Sequence, residues 1–305
     1  MNKIIYNSDQ KVRLIWRFSI FILVFVLIKA LLNTILSIFL DTGLLYEVFA
    51  RIIYFISVIL SLFFQIKYID KTSFEKYGLK IEQKWLQEFI IGAFIAIIQL
   101  SLFFIGMYFT NNLKIIDYFV TNSSEYTFIE GFFAELIRQL SASISEEIMF
   151  RSFLIYIIYE VFNRIGKIEK KNIILACIIT SSLFGIVHLT NDGATIYSTI
   201  NLSFDGMMIC LPFLISGRLG MSIGMHFSWN IFQGAIYGFP NSGQIAKASI
   251  LSSELQENIF TGGLFGPEGS ILLLVLDILA VVFIIYWKKI MKYDNWVNPL
   301  FIKYG

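Results

Sequence analysis

The sequence predicts an all-α fold, a polytopic membrane bundle of about eight transmembrane helices, and three observations lead there. Of 305 residues, 57% are hydrophobic and only 15% are charged, whereas soluble domains run at about 45–50% and about 25%. Mean hydropathy is +0.72. Apolar runs long enough to cross a bilayer core, ~20 residues each, recur along the whole chain. A net charge of +2 leaves no basic face for nucleic acid. Four prolines and two cysteines exclude collagen-like and disulfide-scaffold chains. Cys177 and Cys210 sit inside apolar runs and read as buried thiols.

Eight segments have the length and composition of spans: 18–38, 45–66, 89–109, 139–160, 172–190, 195–216, 219–237 and 270–288. The first follows Lys11, Arg13 and Arg17 as a signal peptide would. It is too long for one and no small-residue cleavage site follows, so a retained helix is expected. Basic residues gather at alternate connections: Lys3, Lys11, Arg13 and Arg17; then Lys67, Lys71, Lys76, Lys80 and Lys84; then Arg164, Lys167, Lys170 and Lys171; then Arg218; and last Lys288, Lys289, Lys292 and Lys303. The intervening loops hold only Arg51, Lys114 and Lys247. Cytoplasmic loops carry the excess of Lys and Arg, so both termini are expected in the cytoplasm, with the chain in the cell membrane.

Two stretches read differently. Residues 71–88 mix lysines with Phe74, Tyr77, Leu79, Ile81, Trp85 and Leu86, the composition of an amphipathic helix at the cytoplasmic interface. Residues 126–138 suit a second such helix on the outer side. The expected organisation is a three-span region over 1–126 that includes the interfacial helix, a motif-bearing membrane domain over 127–290, and a cytoplasmic tail over 291–305. No internal repeat of the kind that builds many transporters is visible.

Charged groups inside a membrane are costly and mark function. The fourth span contains Glu146, Glu147 and Arg151. Glu147 and Arg151 are spaced to pair along one helix face. Glu146 is turned by about 100° and need not share that partner. A purely structural charge cluster explains the pair but leaves Glu146 unused. The only two histidines fall in other spans: His188, one turn after Phe184, and His226, one turn before Asn230. Polar groups in lipid need one another as hydrogen-bond partners, so convergence of these three spans is expected.

Glutamate, two histidines and asparagine supply what activates water. A carboxylate in a low-dielectric pocket suits proton transfer. Glu146, His188 and His226 offer ligands for a divalent metal such as zinc with a position left for water. The same residues also work without metal, Glu146 and His188 activating water while His226 and Asn230 bind the oxyanion. No His-Glu-x-x-His helix is present. The same groups also suit a proton- or cation-coupled transporter.

Glu-Glu-x-x-x-Arg (146, 147, 151), Phe-x-x-x-His (184, 188) and His-x-x-x-Asn (226, 230), in this order on separate membrane helices, resemble the CPBP family. These are the CAAX prenyl endopeptidase and bacteriocin-processing intramembrane proteases, also called the Abi family or type II CAAX proteases. The stretch Gly262–Ser270 is similar to a segment common in bacterial members. The resemblance implies an eight-helix intramembrane endopeptidase acting on a peptide or membrane-protein substrate. It implies Glu146 as the water-activating carboxylate, Glu147 and Arg151 as its motif partners, and His188, His226 and Asn230 as activating, oxyanion-binding or metal-binding groups. It also implies a role in bacteriocin maturation, self-immunity or CAAX-type processing, with metalloprotease chemistry commonly ascribed to the family. A member acting as a non-catalytic immunity or regulatory scaffold is the further alternative.

Overall fold

The structure, a computed structural model, describes residues 12–165 and 169–304. The chain runs through α1 (Leu14–Phe39), α2 (Leu44–Phe64), α3 (Gln83–Phe109), β1 (Leu113–Thr121), α4 (Phe128–Glu146) and α5 (Ile155–Ile165). It continues through α6 (Glu169–Val187), α7 (Ile196–Ser216), α8 (Gly220–Ile231), β2 (Ala248–Leu255), α9 (Ile271–Ile290) and α10 (Pro299–Tyr304). Wider π turns extend α2 over Gln65–Asp70, join α4 to α5 over Glu147–Leu154, and extend α8 over Phe232–Ile236.

Among the described residues six helices are long and apolar enough to cross a membrane: Leu14–Phe39, Leu44–Asp70, Gln83–Phe109, Lys170–Thr190, Ile196–Ser216 and Ile271–Ile290. The other two expected spans are helical but differ in kind. Residues 139–160 lie within the helical run from α4 through its π turn into α5, which carries Glu146, Glu147, Arg151 and Glu160. Residues 219–237 correspond to α8, a helix of 12 residues, with its π extension. Both spend their polar side chains on neighbouring helices. The fold is therefore an all-α membrane bundle in which six members meet the length and hydropathy of a spanning helix.

The expected interfacial helix over 71–88 is corrected. Residues 71–82 are non-helical and α3 begins at Gln83. Their side chains are drawn into a buried network: Arg17 lies 2.7 Å from Asp70 and 2.6 Å from Glu160, and Lys76 lies 3.4 Å from Glu160. Tyr77 is fully buried, bonds Asp70 through its hydroxyl and meets Tyr156 edge-on at 5.8 Å. Tertiary ion pairing thus overrides an amphipathic pattern. The second expected interfacial helix, 126–138, is the first half of α4. That helix starts at Thr127 with a capping box, the Thr127 side chain receiving Glu130 N–H and the Glu130 carboxylate receiving Thr127 N–H.

An antiparallel pair, β1 with β2, is the element the sequence reading lacks, running from Leu113 opposite Leu255 to Thr121 opposite Ala248. Both cysteines are free and buried. Lys29 rests its ammonium 5.8 Å from the Phe25 ring and 5.5 Å from the Tyr54 ring, which accounts for a cation within an apolar helix. Lys3, Lys11 and Lys167 lie outside the described residues.

Helix α8 is packed by α3, α4 and α7, and its docking on α3 depends on glycine. A Cβ on Gly92 would stand 2.2 Å from the Met221 carbonyl, and one on Gly224 would stand 2.1 Å from the Phe89 carbonyl. Gly220 and Gly224 form the small-x-x-x-small spacing that lets membrane helices approach backbone to backbone. Gly224→Val is expected to cost at least the ~1–3 kcal/mol of overpacking and to lower the melting temperature in detergent micelles. Gly106→Ala, on the same α3 but with nothing within 4 Å of its added Cβ, serves as the control. A Gly224→Val protein melting like wild type would refute the close crossing.

Candidate active site

Helix α4 ends at Glu146, and the π turn starts at the next residue. Such local widening is rare and recurs at functional sites, because it turns side chains away from the regular helix faces. Here it separates two adjacent carboxylates. The Glu146 side chain is 26% exposed and borders a cavity of about 140 Å³, whereas the Glu147 side chain is 0% exposed.

Glu147 holds the wall behind the cavity. Its Oε1 accepts from His226 Nδ1 at 2.8 Å and lies 3.2 Å from Arg151 Nη1. The guanidinium is itself buried and stacks on Phe184, 3.9 Å from the ring centroid. A cation over an aromatic face gains most where water is excluded. The Phe184 ring meets His226 at 87° with centroids 6.0 Å apart, and His188 at 4.7 Å. One ring therefore touches all three motifs.

His188 follows α6 in a tight 3₁₀ turn, and its Nδ1 lies 2.7 Å from the Phe184 carbonyl. A carbonyl only accepts, so Nδ1 is the donor in this contact and Nε2 is the ring nitrogen left for another partner. Helix α6 can lie against α7 because of Gly185, where a Cβ would meet Thr199 O at 2.4 Å. His226 Nε2 stands 3.7 Å from Glu146 Oε2. Asn230, one turn on, donates from Nδ2 to Ser143 Oγ at 3.5 Å.

Four of the six residues picked from sequence, Glu146, His188, His226 and Asn230, border the same cavity. Glu147 and Arg151 stand behind it. The three residues expected to offer metal ligands, Glu146, His188 and His226, all border this cavity. Among the described residues no three His, Cys, Asp or Glu side chains are placed to hold a metal ion. Both Nδ1 atoms are engaged, one by Phe184 and one by Glu147, the kind of contact that orients an imidazole and leaves its Nε2 for another partner.

The sequence reading does not select Arg51, Asp205, Ser242 or Glu268 as site residues, yet all four border the cavity. Arg51 stands out only as a lone basic residue near the start of the second span. Ser242 lies in a loop with no motif. Glu268 is visible within the glycine-rich stretch, which reads as a turn at the membrane edge. Its Oε2 instead receives both Ser242 N–H and Ser242 Oγ–H at 2.6 Å.

Residues 129–232 match the model of the family described as type II CAAX prenyl endopeptidase Rce1-like. That segment begins in α4, ends just past α8 and contains all seven motif residues. The match supports the CPBP/CAAX intramembrane protease family for this chain. No curated protein and no solved structure matches it. That family implies a peptide substrate, and with the several apolar helices it supports a multi-pass membrane location. Ser242 and Glu268 fall outside the matched CAAX-protease segment.

Burial lifts the Glu268 carboxyl from an ordinary 4.5 to about 7, with nearby Asp205 adding to the lift and Ser242 and His226 opposing it. The folded chain then holds a proton there that the unfolded chain releases above about 4.5. Its contribution to stability is present below that pH and is lost as pH rises through the folded value. Melting curves in detergent from about pH 5 to about pH 8 are expected to show wild type losing stability with pH relative to Glu268→Gln. Parallel curves for the two proteins would contradict this.

Proposed function

We propose that this chain is an intramembrane endopeptidase that hydrolyses a peptide bond with water activated by Glu146 and His188. The observation carrying the proposal is the convergence of Glu146, His188, His226 and Asn230, from three separate helical segments, on one cavity. In this reading Glu146 takes one proton from water, and the His188 Nε2 lone pair accepts a hydrogen bond from the O–H that remains and orients the oxygen. The water oxygen bonds to the carbonyl carbon, and the carbonyl pair moves onto oxygen. His226, protonated on both nitrogens, donates Nδ1–H to Glu147 and Nε2–H to the oxyanion, which Asn230 Nδ2 also reaches. Collapse breaks the C–N bond, and the leaving amine takes the proton from Glu146. Arg151 balances the Glu147 charge so that the imidazole keeps its orientation.

The substrate in this proposal is a membrane-associated or exported peptide, and the biological setting is bacteriocin maturation, self-immunity or CAAX-type processing. Glu146 and Glu160 sit on one helical run, roughly 20 Å apart at 1.5 Å per residue. The Glu160 end carries the Arg17 and Lys76 network next to the lysine-rich connection. A cytoplasmic placement of that end puts the cavity in the outer half of the bilayer.

Proteomic comparison of membranes carrying wild type and Glu146→Gln tests the reaction. A peptide processed by wild type is expected to be processed ~10²–10⁴-fold more slowly by the variant, the range for a general base. Equal processing would end the peptidase reading. The metal-free form of this proposal predicts that purified enzyme keeps its activity in EDTA. A loss that zinc restores, with stoichiometric zinc missing from His188→Ala, would place a metal in the reaction.

A further inference from the structure

Three loops close the end of the cavity. The first, 191–195, follows the His188 turn; the second, 238–247, follows α8 and Asn230; the third, 262–270, precedes α9. They are joined at few points. Asn191 Nδ2 donates to the Ser242 carbonyl at 3.0 Å, and Gly243 N–H donates to the Phe265 carbonyl at 3.1 Å. Asn241 Nδ2 donates to the Asn230 carbonyl at 3.4 Å.

Contact between these loops is too close for side chains. A Cβ on Gly243 would stand 1.9 Å from the Asp192 carbonyl, and one on Gly266 would stand 2.0 Å from the Pro240 carbonyl. Ser242 itself is held at φ 45°, the left-handed region, which a non-glycine residue keeps only where its surroundings impose it. Its N–H and Oγ–H both go to Glu268 Oε2. Glu268 is fixed in turn, since Asn201 Nδ2 of α7 donates to the Glu268 carbonyl at 3.2 Å and to the Ser270 carbonyl at 2.8 Å.

Ser242 is thus the point where the chain beyond His188 and the chain beyond Asn230 meet. We propose that Glu268, by clamping Ser242, is a positioning residue that holds the His188 turn and the Asn230 end of α8 in register across the cavity. This rests on the peptidase reading only for its catalytic consequence; the clamp itself is a statement about two loops. The acceptor, not the charge, carries it. A glutamine offers an amide oxygen to the same Ser242 donors, whereas alanine offers none and leaves two half-buried donors without that acceptor.

Hydrogen exchange on the full chain in detergent micelles tests the clamp without a substrate. Glu268→Ala is expected to raise exchange at least tenfold in 191–195 and 238–247 together and to leave α4 unchanged, with Glu268→Gln like wild type. Ser242→Gly keeps the N–H and removes the hydroxyl. It gives an intermediate effect, and it serves if Glu268→Ala fails to fold. On the peptide identified by the Glu146→Gln comparison, Glu268→Ala is expected to lower kcat at least tenfold with KM within threefold, and Glu268→Gln to restore kcat. Exchange unchanged in either loop, or a Glu268→Gln protein as damaged as Glu268→Ala, would overturn the clamp. Full cleavage by Glu146→Gln would overturn the peptidase reading and leave the exchange result standing.

Discussion

A single carboxylate, Glu147, shared between Arg151 and His226 and sealed from solvent, is the constraint on which the arrangement depends. A lone charge in such a place is prohibitive, and a buried pair persists only when its geometry and further contacts offset the desolvation. Breaking a pair of this kind by removing one partner costs about 3–5 kcal/mol in general. The three groups therefore come as a unit, and each fixes an element. Arg151 sits in the π turn, His226 in α8, and the ring that covers the guanidinium, Phe184, in α6. Once these are joined, Glu146 has only the His226 Nε2, at 3.7 Å, within the wall and turns to the cavity. The division between a structural and a reactive carboxylate thus follows from burial, not from any chemical difference between two adjacent glutamates.

The rest of the bundle sorts by the same principle. Over their most apolar stretches, α1 is 11% buried and α7 is 61% buried, so α1 presents its surface to lipid and α7 is interior. Interior helices carry the polar groups and need close neighbours to satisfy them. Helix α8 is short and polar for a spanning segment, and it gains its place through glycine contact with α3 rather than through apolar length. Lipid supplies no hydrophobic force between helices, so such packing and hydrogen bonding must hold them.

Apolar length, motif order and pairing are legible in the sequence, because each is a local property. Glu147 and Arg151 do pair, at 3.2 Å, as four-residue spacing implies. The convergence of His188, His226 and Glu146 follows from the need of buried polar groups for partners. What escapes a reading of the sequence is tertiary. Lys76 and Tyr77 pattern as one face of a surface helix, yet an ion network with Arg17 and Glu160, remote along the chain, decides their position. The pairing of β1 with β2 joins segments more than a hundred residues apart, and neither strand alternates strongly enough to announce itself. Glu268 reads as part of a turn because glycines surround it; that those glycines admit another backbone is knowable only when the second loop is present. The Thr127-x-x-Glu130 box and the Gly220-x-x-x-Gly224 spacing, by contrast, are local and readable.

The buried network also changes how the charge asymmetry should be weighed. Arg17 and Lys76 are neutralised by Asp70 and Glu160, and Arg218 is held by Glu88 at 2.7 Å. None of these three acts on the membrane potential or the lipid surface as a free charge. Lys67 at the end of α2, Lys71 in the connection that follows and Lys84 in the first turn of α3 remain exposed. On the opposite loops Lys247 is spent on Glu47 at 2.5 Å. Removing the paired groups from both sides therefore leaves the excess of basic residues where it was. The asymmetry supports the same orientation on fewer charges, and those charges are the ones in contact with water.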